Sequence, residues 1–177
     1  MELTNYGITL RRLTEEKIEL VRQWRNDPKI LQYMEFRDYI TPEMQQAWFK
    51  RINNDNNYYF IIVYEGKEIG LINIRDIDYD KKVGEPGIFI YDDEYLDSDV
   101  AMRASLCMGD FIWGDLKLEE AHIHIMRNNI RAIKYNKMFG YKLSDGQENV
   151  ENQLYTLLRE DAINNKKTKQ FRKIFNK

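Results

Sequence analysis

The sequence predicts an α+β fold in three layers, a mixed central sheet of about seven strands flanked by helices. Three observations predict it. Apolar residues change period along the chain in the order β, α, α, α, β, β, β, α, β, α, β, β. Residues 121–141 form a compact unit: an alternating strand, an Asn turn, an amphipathic helix and a Gly-aromatic restart. The chain has 177 residues, 43% hydrophobic and 13% aromatic, enough to bury one core without staples.

Each element has a local reason. Tyr6 to Leu13 alternates apolar and polar residues, as a half-buried strand does. Thr14 caps a helix whose first turn sets Glu15 and Glu16 against the dipole. Ile18, Leu20, Val21 and Trp24 face inward, and the helix runs to about Asn26. Asp27-Pro28 breaks it and permits a restart, with Ile30, Leu31 and Met34 as the next apolar face. Thr41-Pro42-Glu43 opens a third helix through Arg51, with Met44, Trp48 and Ile52 as its stripe. Asn53 to Asn57 is a polar loop. Tyr58–Tyr64 and Glu68–Asp76 read as a hairpin about Glu65-Gly66-Lys67, and Gly87–Tyr91 as a central strand.

Asp97-Ser98-Asp99 caps a helix that turns Met102, Leu106, Phe111 and Ile112 inward. Ala121–Met126 is the next strand. Asn128 or Asn129 caps a helix on which Ala132, Ile133, Tyr135 and Phe139 recur at helical spacing, and Gly140 ends it. Tyr141–Ser144 and Gln153–Leu158 are the last strands. Residues 1–160 read as one domain and 161–177 as a basic tail. From Ile163 on, the tail has six basic residues and no acidic one. Phe171, Ile174 and Phe175 share a helical face there, which suits docking on the domain or, alternatively, contact with an acidic partner.

Composition excludes several classes. A net charge of −2 gives no pull toward nucleic acid or an anionic membrane. The single cysteine, Cys107, forms no internal disulfide and fits a reducing compartment; its apolar helical setting reads as a buried thiol. No segment approaches the ~20 apolar residues of a membrane span, and no leader pattern opens the chain. The expected location is cytoplasmic.

Asn129, Ala132 and Ile133, followed by Gly140-Tyr141, resemble the N-x-x-A-I…G-[FY] signature of the GNAT superfamily of N-acetyltransferases. The element order resembles that fold over about residues 7–159. The resemblance implies an acetyl-CoA-dependent enzyme that needs no metal. It implies a cleft where two neighbouring strands splay apart. Phe89, Ile90 and Tyr91 would offer backbone groups to the pantetheine arm. Asp99, Val100, Ala101 and Met102 would meet the pyrophosphate at a helix start, and Asn129 and Ala132 would close the cofactor site.

One loop departs from the family. Against [QR]-x-x-G-x-[GA], the chain supplies Leu96-Asp97-Ser98-Asp99-Val100-Ala101, and only Ala101 fits. Two like charges ~5 Å apart at an effective dielectric near 20 repel by roughly 3 kcal/mol, so Asp97 and Asp99 oppose a diphosphate. Capping the helix with both side chains, or Arg103 reaching back, would relieve this.

Candidate chemistry follows from the same resemblance. The family's general-acid tyrosine falls on Asn136; Tyr135 lies one step earlier, rotated by about 100° on a helix. Asn136 suits hydrogen bonding to a leaving thiolate. Glu85, where the cleft strand begins, is the first candidate base, and an exposed turn glutamate is its bland alternative. His122 and His124 share a strand face; metal binding needs a third ligand that the sequence does not supply, and a proton relay by one of them is the other use. Trp24-Arg25-Asn26 with Met34 resembles a stretch of amino-sugar-nucleotide N-acetyltransferases and, more loosely, of ribosomal-protein N-terminal acetyltransferases. That resemblance implies Arg25 on a diphosphate and Trp24 on a base or sugar; otherwise Trp24 is core and Arg25 a surface charge. The expected function is acetyl transfer to a primary amine of a small polar acceptor, for example a nucleotide-linked amino sugar. A protein N-terminus is the second acceptor, and a binding module that has lost CoA is the third reading. The expected state is a monomer or homodimer.

Overall fold

The computed structural model describes residues 1–176. Among them eight strands form one sheet in the order β1-β2-β3-β4-β5-β6-β8-β7. The strand beyond the expected seven comes from the N-terminus. Tyr6 to Leu13 is not a single strand: β1 (Glu2–Asn5) and β2 (Ile8–Arg12) form a hairpin about Tyr6-Gly7. Both turn residues have positive φ, 56° and 72°. Tyr6 tolerates this because its ring is buried and its hydroxyl donates to Asp110 Oδ2 at 2.8 Å.

β3 (Tyr58–Tyr64), β4 (Lys67–Asp78) and β5 (Val83–Ile90) continue antiparallel from β2. β5 starts four residues before the predicted Gly87, because β4 is long enough to pair Arg75 with Glu85 and Asp78 with Val83. β6 (Glu120–Met126) joins β5 in parallel and β8 (Asn152–Leu158) antiparallel, and β7 (Lys142–Leu143) is the short outer edge.

α1 (Ile18–Asn26), α2 (Pro28–Leu31) and α3 (Pro42–Ile52) cover one face. Val21, Trp24, Phe49 and Ile52 pack there on Tyr59, Ile61 and Leu71. The α3 stripe is offset by one residue from the predicted one: Gln45 is buried, with its amide donating to the Ile18 carbonyl at 2.8 Å, and Met44 is exposed. α4 (Val100–Asp110), continued by a π-helical turn at Phe111–Asp115, packs on the other face over Leu10, Phe60, Ile72 and Ile74. α5 (Ile130–Phe139) covers a separate core of Ala121, Ile123, Ile125, Tyr155 and Leu157. The two cores on this side meet where β5 and β6 meet.

Most caps occur where the sequence signals them; Thr14 is the exception, since its side chain makes no capping bond and Glu15–Lys17 is a 3₁₀ turn leading into α1 at Ile18. Asp27 accepts from Lys29 N, Thr41 from Met44 N and Asn129 from Ala132 N, and Gly140 sits at φ 107°. The tail is a docked helix pair, α6 (Arg159–Asn164) and α7 (Lys166–Phe175). Phe171 and Phe175 pack on the main core while Ile174 faces solvent. Arg172 donates to Asp110 and Tyr6, and the Arg103 guanidinium lies 4.2 Å over the Phe175 ring. Lys177, the last tail residue, lies outside the described residues.

Candidate active site

β5 and β6 pair at two positions only, Val83 with Glu120 and Gly84 with Ala121. β5 stays bonded to β4 as far as Ile90 opposite Gly70, and β6 stays zipped to β8 along its length. From Glu85 onward, the β5 edge facing β6 has no strand partner. Pro86, which lacks an N–H, stands at the start of that edge. The result is a V-shaped slot with its apex at Gly84 and Ala121.

A strand's polar groups alternate between its edges, residue by residue. The Tyr91 N–H donates to the Ile69 carbonyl at 2.7 Å, and the Phe89 carbonyl lies against Gly70. Those two residues therefore spend their backbone on β4. Ile88 and Ile90 turn theirs to the slot. Of the three predicted pantetheine contacts, Ile90 faces the slot, Phe89 and Tyr91 do not, and Ile88 was not anticipated. The side chains of Phe89 and Tyr91 pack instead on Trp24, at ring separations of 6.4 and 5.4 Å.

The acidic loop leads from β5 into α4. Neither aspartate caps the helix. Asp99 Oδ2 accepts from Arg103 at 2.9 Å, and Arg103 also donates to the Tyr6 carbonyl. Asp97 accepts from Arg131 at 3.2 Å, and Arg131 also donates to the Leu96 carbonyl. Ser98 Oγ is the cap, accepting from Val100 N at 3.2 Å, so Val100 has no N–H left for a ligand. Ala101 and Met102 carry no acceptor on their N–H groups among the described residues. Arg131 was missed from sequence. Its signal was a cation in the first turn of a helix, where the dipole disfavours positive charge.

Glu85 is the first β5 residue past the apex. Its Oε1 accepts from Arg75 Nη2 at 2.7 Å and lies 3.3 Å from His124 Nδ1 on β6. The carboxylate thus bridges the base of the slot. The Tyr59 hydroxyl lies in the field of Arg75, Arg25 and Glu85, and burial raises its pKa. Arg25 lies with its guanidinium 5.7 Å over the Trp48 ring. It makes no hydrogen bond or ion pair among the described residues. Burial, opposed by Tyr59 and reinforced by the Arg75 charge, lowers its pKa.

Other predicted residues serve the scaffold. Trp24 is 4% exposed and stacks on Tyr91, so no ligand base can reach its ring. Asn26 clamps Ile40, accepting from its N–H at 2.8 Å and donating to its carbonyl at 2.9 Å. Met34 lies in the turn beyond α2, half-buried, not on a helical face. Tyr135 latches α5 to α4: its hydroxyl donates to the Ala101 carbonyl at 2.9 Å and sits 2.8 Å from Ser105 Oγ, and burial raises its pKa. Asn136 donates to the Ala132 carbonyl at 2.9 Å on its own helix. Neither presents a free proton donor to the slot. Ala132 packs over the third core. Among the described residues no three His, Cys, Asp or Glu side chains cluster as metal ligands.

A family model for the acetyltransferase (GNAT) domain matches residues 8–142. The chain belongs to the GNAT family. It is an acetyl-CoA-dependent N-acetyltransferase, which removes the binding-module reading. An open strand edge ending at two free helix N–H groups and an arginine fits an extended amide arm that ends in a diphosphate. Spermidine N(1)-acetyltransferase of Escherichia coli K12 is 23% identical over 139 residues, covering 78% of this chain and 74% of that one. A Vibrio cholerae spermidine N-acetyltransferase solved with CoA and spermine superposes at a TM-score of 0.75, with 19% identity, over 90% of this chain and 100% of that one. FdhC, described as a nucleotide-linked sugar GNAT, superposes at 0.78, with 21% identity, over 97% of each chain. These two structural likenesses speak for the fold.

Proposed function

We propose that this GNAT enzyme acetylates a primary amine on a small acceptor that carries an anionic group, a nucleotide-linked amino sugar being the type. Arg25 carries this reading: a half-buried cation in the field of Arg75, the partner of Glu85 at the slot's apex, with no carboxylate partner of its own among the described residues. An uncompensated cation in a poorly solvated place costs free energy that an incoming phosphate or carboxylate recovers. Arg75 adds a second positive charge on the same face, offset by Glu85.

In this reading the backbone groups of Ile88 and Ile90 hold the pantetheine amides. The N–H groups of Ala101 and Met102, with Arg131, take the diphosphate. Asn129 fixes the start of α5. Bound acetyl-CoA supplies an activated thioester; the chain's part is to align an amine on it and remove its proton. Glu85 stands at the apex of the slot, bonded to Arg75 and facing His124.

A polyamine acceptor is the second reading. The curated relative acetylates spermidine, and a hollow of about 360 Å³ beside Trp24 and Tyr91 is lined by Glu68, Asp92 and Asp93. Two of its three acids already have lysine partners, however, and Asp92 accepts from the Glu94 N–H. Lys29 sits 3.1 Å from Asp93 and 4.1 Å over the Tyr91 ring, and Lys17 lies 2.8 Å from Glu68. The unpartnered charge, Arg25, is positive, which favours the anionic acceptor.

We further take residues 1–160 as the transferase domain with 161–177 as a docked tail, acting in the cytoplasm as a monomer or homodimer. Among the described residues no helix is long and apolar enough to cross a membrane. The test is thiol release from acetyl-CoA with spermidine, an amino-sugar nucleotide and a short peptide as acceptors. Transfer is expected with the amino-sugar nucleotide. A charge-assisted hydrogen bond of about 1.5–3 kcal/mol means Arg25→Ala raises its KM by about 10- to 100-fold. Preference for spermidine, with Arg25→Ala harmless, refutes the anionic acceptor.

A further inference from the structure

The apex of the slot holds an arrangement that acceptor binding does not use. His124 leaves β6 three residues past Ala121, its last neighbour paired with β5. Its Nδ1 points at Glu85 Oε1 across the gap, 3.3 Å away. The same oxygen accepts from Arg75, which holds the carboxylate in place. The imidazole is 42% exposed, while the Glu85 side chain is only 21% exposed. His124 Nε2 has no hydrogen-bond partner among the described residues. Its neighbour on that face, His122, is committed through Nε2 to Glu120.

We propose that His124, not Glu85, is the base of the acetyl transfer: Nε2 takes the acceptor's proton while Glu85 is a positioning residue that receives Nδ1–H and steadies the imidazolium. This rests on the acetyl-transfer reading above. The physical case has two parts. Glu85 Oε1 is already engaged by Arg75 Nη2 and faces His124 Nδ1, whereas His124 Nε2 is bonded to nothing among the described residues. A histidine ring nitrogen with a free lone pair is the side-chain group that most often takes a proton from a reacting amine. A carboxylate on Nδ1 also selects the tautomer whose Nε2 lone pair is free.

The step balances as follows. The acceptor ammonium gives one proton to neutral Nε2. The freed nitrogen pair forms the C–N bond at the acyl carbon. The C–S bond breaks with its pair on sulfur. The second nitrogen proton ends on that sulfur as the thiol, and the imidazolium returns its proton to water. Glu85 on β5 meets His124 directly; Arg75 on β4 acts through Glu85, Tyr59 on β3 and Arg25 on α1 lie in the field of Arg75, and His122 and Glu120 lie on β6 itself. The residue opposite it on β8 is Leu154, which is uncharged.

The test is the pH profile of kcat/KM for the wild type, His124→Gln, Glu85→Gln and His122→Gln, with CoA affinity measured by calorimetry on each. His124→Gln is expected to lose ~10²–10⁴ in kcat/KM, to lose the limb on which activity rises from acid to neutral pH, and to bind CoA normally. Added imidazole is expected to restore part of the rate in His124→Gly. Glu85→Gln is expected to keep that limb but shift it to lower pH, since the imidazolium loses its carboxylate. His122→Gln keeps the wild-type profile. If His124→Gln stays within threefold of the wild type, or if Glu85→Gln alone abolishes the limb, Glu85 is the base and the proposal is wrong. A wild type that binds no CoA and acetylates nothing sinks the underlying reading, and this assignment with it.

Discussion

Two aspartates in the loop before α4 looked hostile to a diphosphate, and each proves to be tied to an arginine. Asp99 pairs with Arg103, four residues on in α4, and Asp97 with Arg131, which comes from α5. Both pairs are exposed enough for water to screen them, so each contributes little to stability. On the proposed reading their weight lies in function: Arg131, already at the loop, exchanges Asp97 for a phosphate. Arg131→Ala is therefore expected to weaken CoA binding by about tenfold or more, the scale of one charge-assisted hydrogen bond. Asp97→Asn, which frees the arginine, is expected to tighten it. Calorimetric titration with CoA reads both, and wild-type affinity in Arg131→Ala would place the diphosphate elsewhere.

At the scale of the element, the slot depends on β5 being held firmly on one edge so that the other can stay open. Gly70 lies where β4 runs tightest against β5. A Cβ there would collide with the Phe89 carbonyl and stand 3.0 Å from the Ile90 Cα. Both obstacles are backbone, so neither can turn aside. Gly70→Ala is expected to cost about 1–3 kcal/mol in urea unfolding, as an overpacked core site does. It should also raise the KM for acetyl-CoA, because displacing Phe89 and Ile90 moves Ile90, whose backbone faces the slot. Stability and KM both at wild-type values would show that β5 is not clamped as described.

Across the whole molecule, the ends of the chain are fastened together. Tyr6, Asp110 and Arg172 meet in one cluster, with Asn5 donating to the same carboxylate at 3.0 Å. α7 also covers the main core with Phe171 and Phe175 and touches both α4 and α5. Those two helices flank the far end of the slot. Removing residues 165–177 is expected to lower the melting temperature and to weaken CoA binding, since α4 and α5 lose a common support. Unchanged melting and CoA affinity in the truncated chain would make the tail an ornament. The basic character of α7 then has a plain explanation: its lysines face solvent while its phenylalanines face the core.

Much of this was legible from sequence, for a physical reason. A cap acts within three residues and an amphipathic stripe within two turns, so Asp27, Thr41, Asn129 and Gly140 announced their helix ends by local chemistry alone. The order of elements and the family signature followed from the same short-range patterns. The tertiary structure decided what long-range register decides. Glu85 meets His124 across 39 residues, and Asp97 meets Arg131 across 34. The N-terminal hairpin needed a positive φ at Tyr6, tolerated only because Asp110, 104 residues away, receives its hydroxyl. Tyr135 and Trp24 had residue types suited to chemistry, but packing committed one hydroxyl to α4 and one ring to Tyr91. The sequence alone determined most of the elements and the family they belong to, because those signals are carried by neighbours. The fold alone decided which charges meet and which stay free, because that depends on how strands far apart in the chain come to lie side by side.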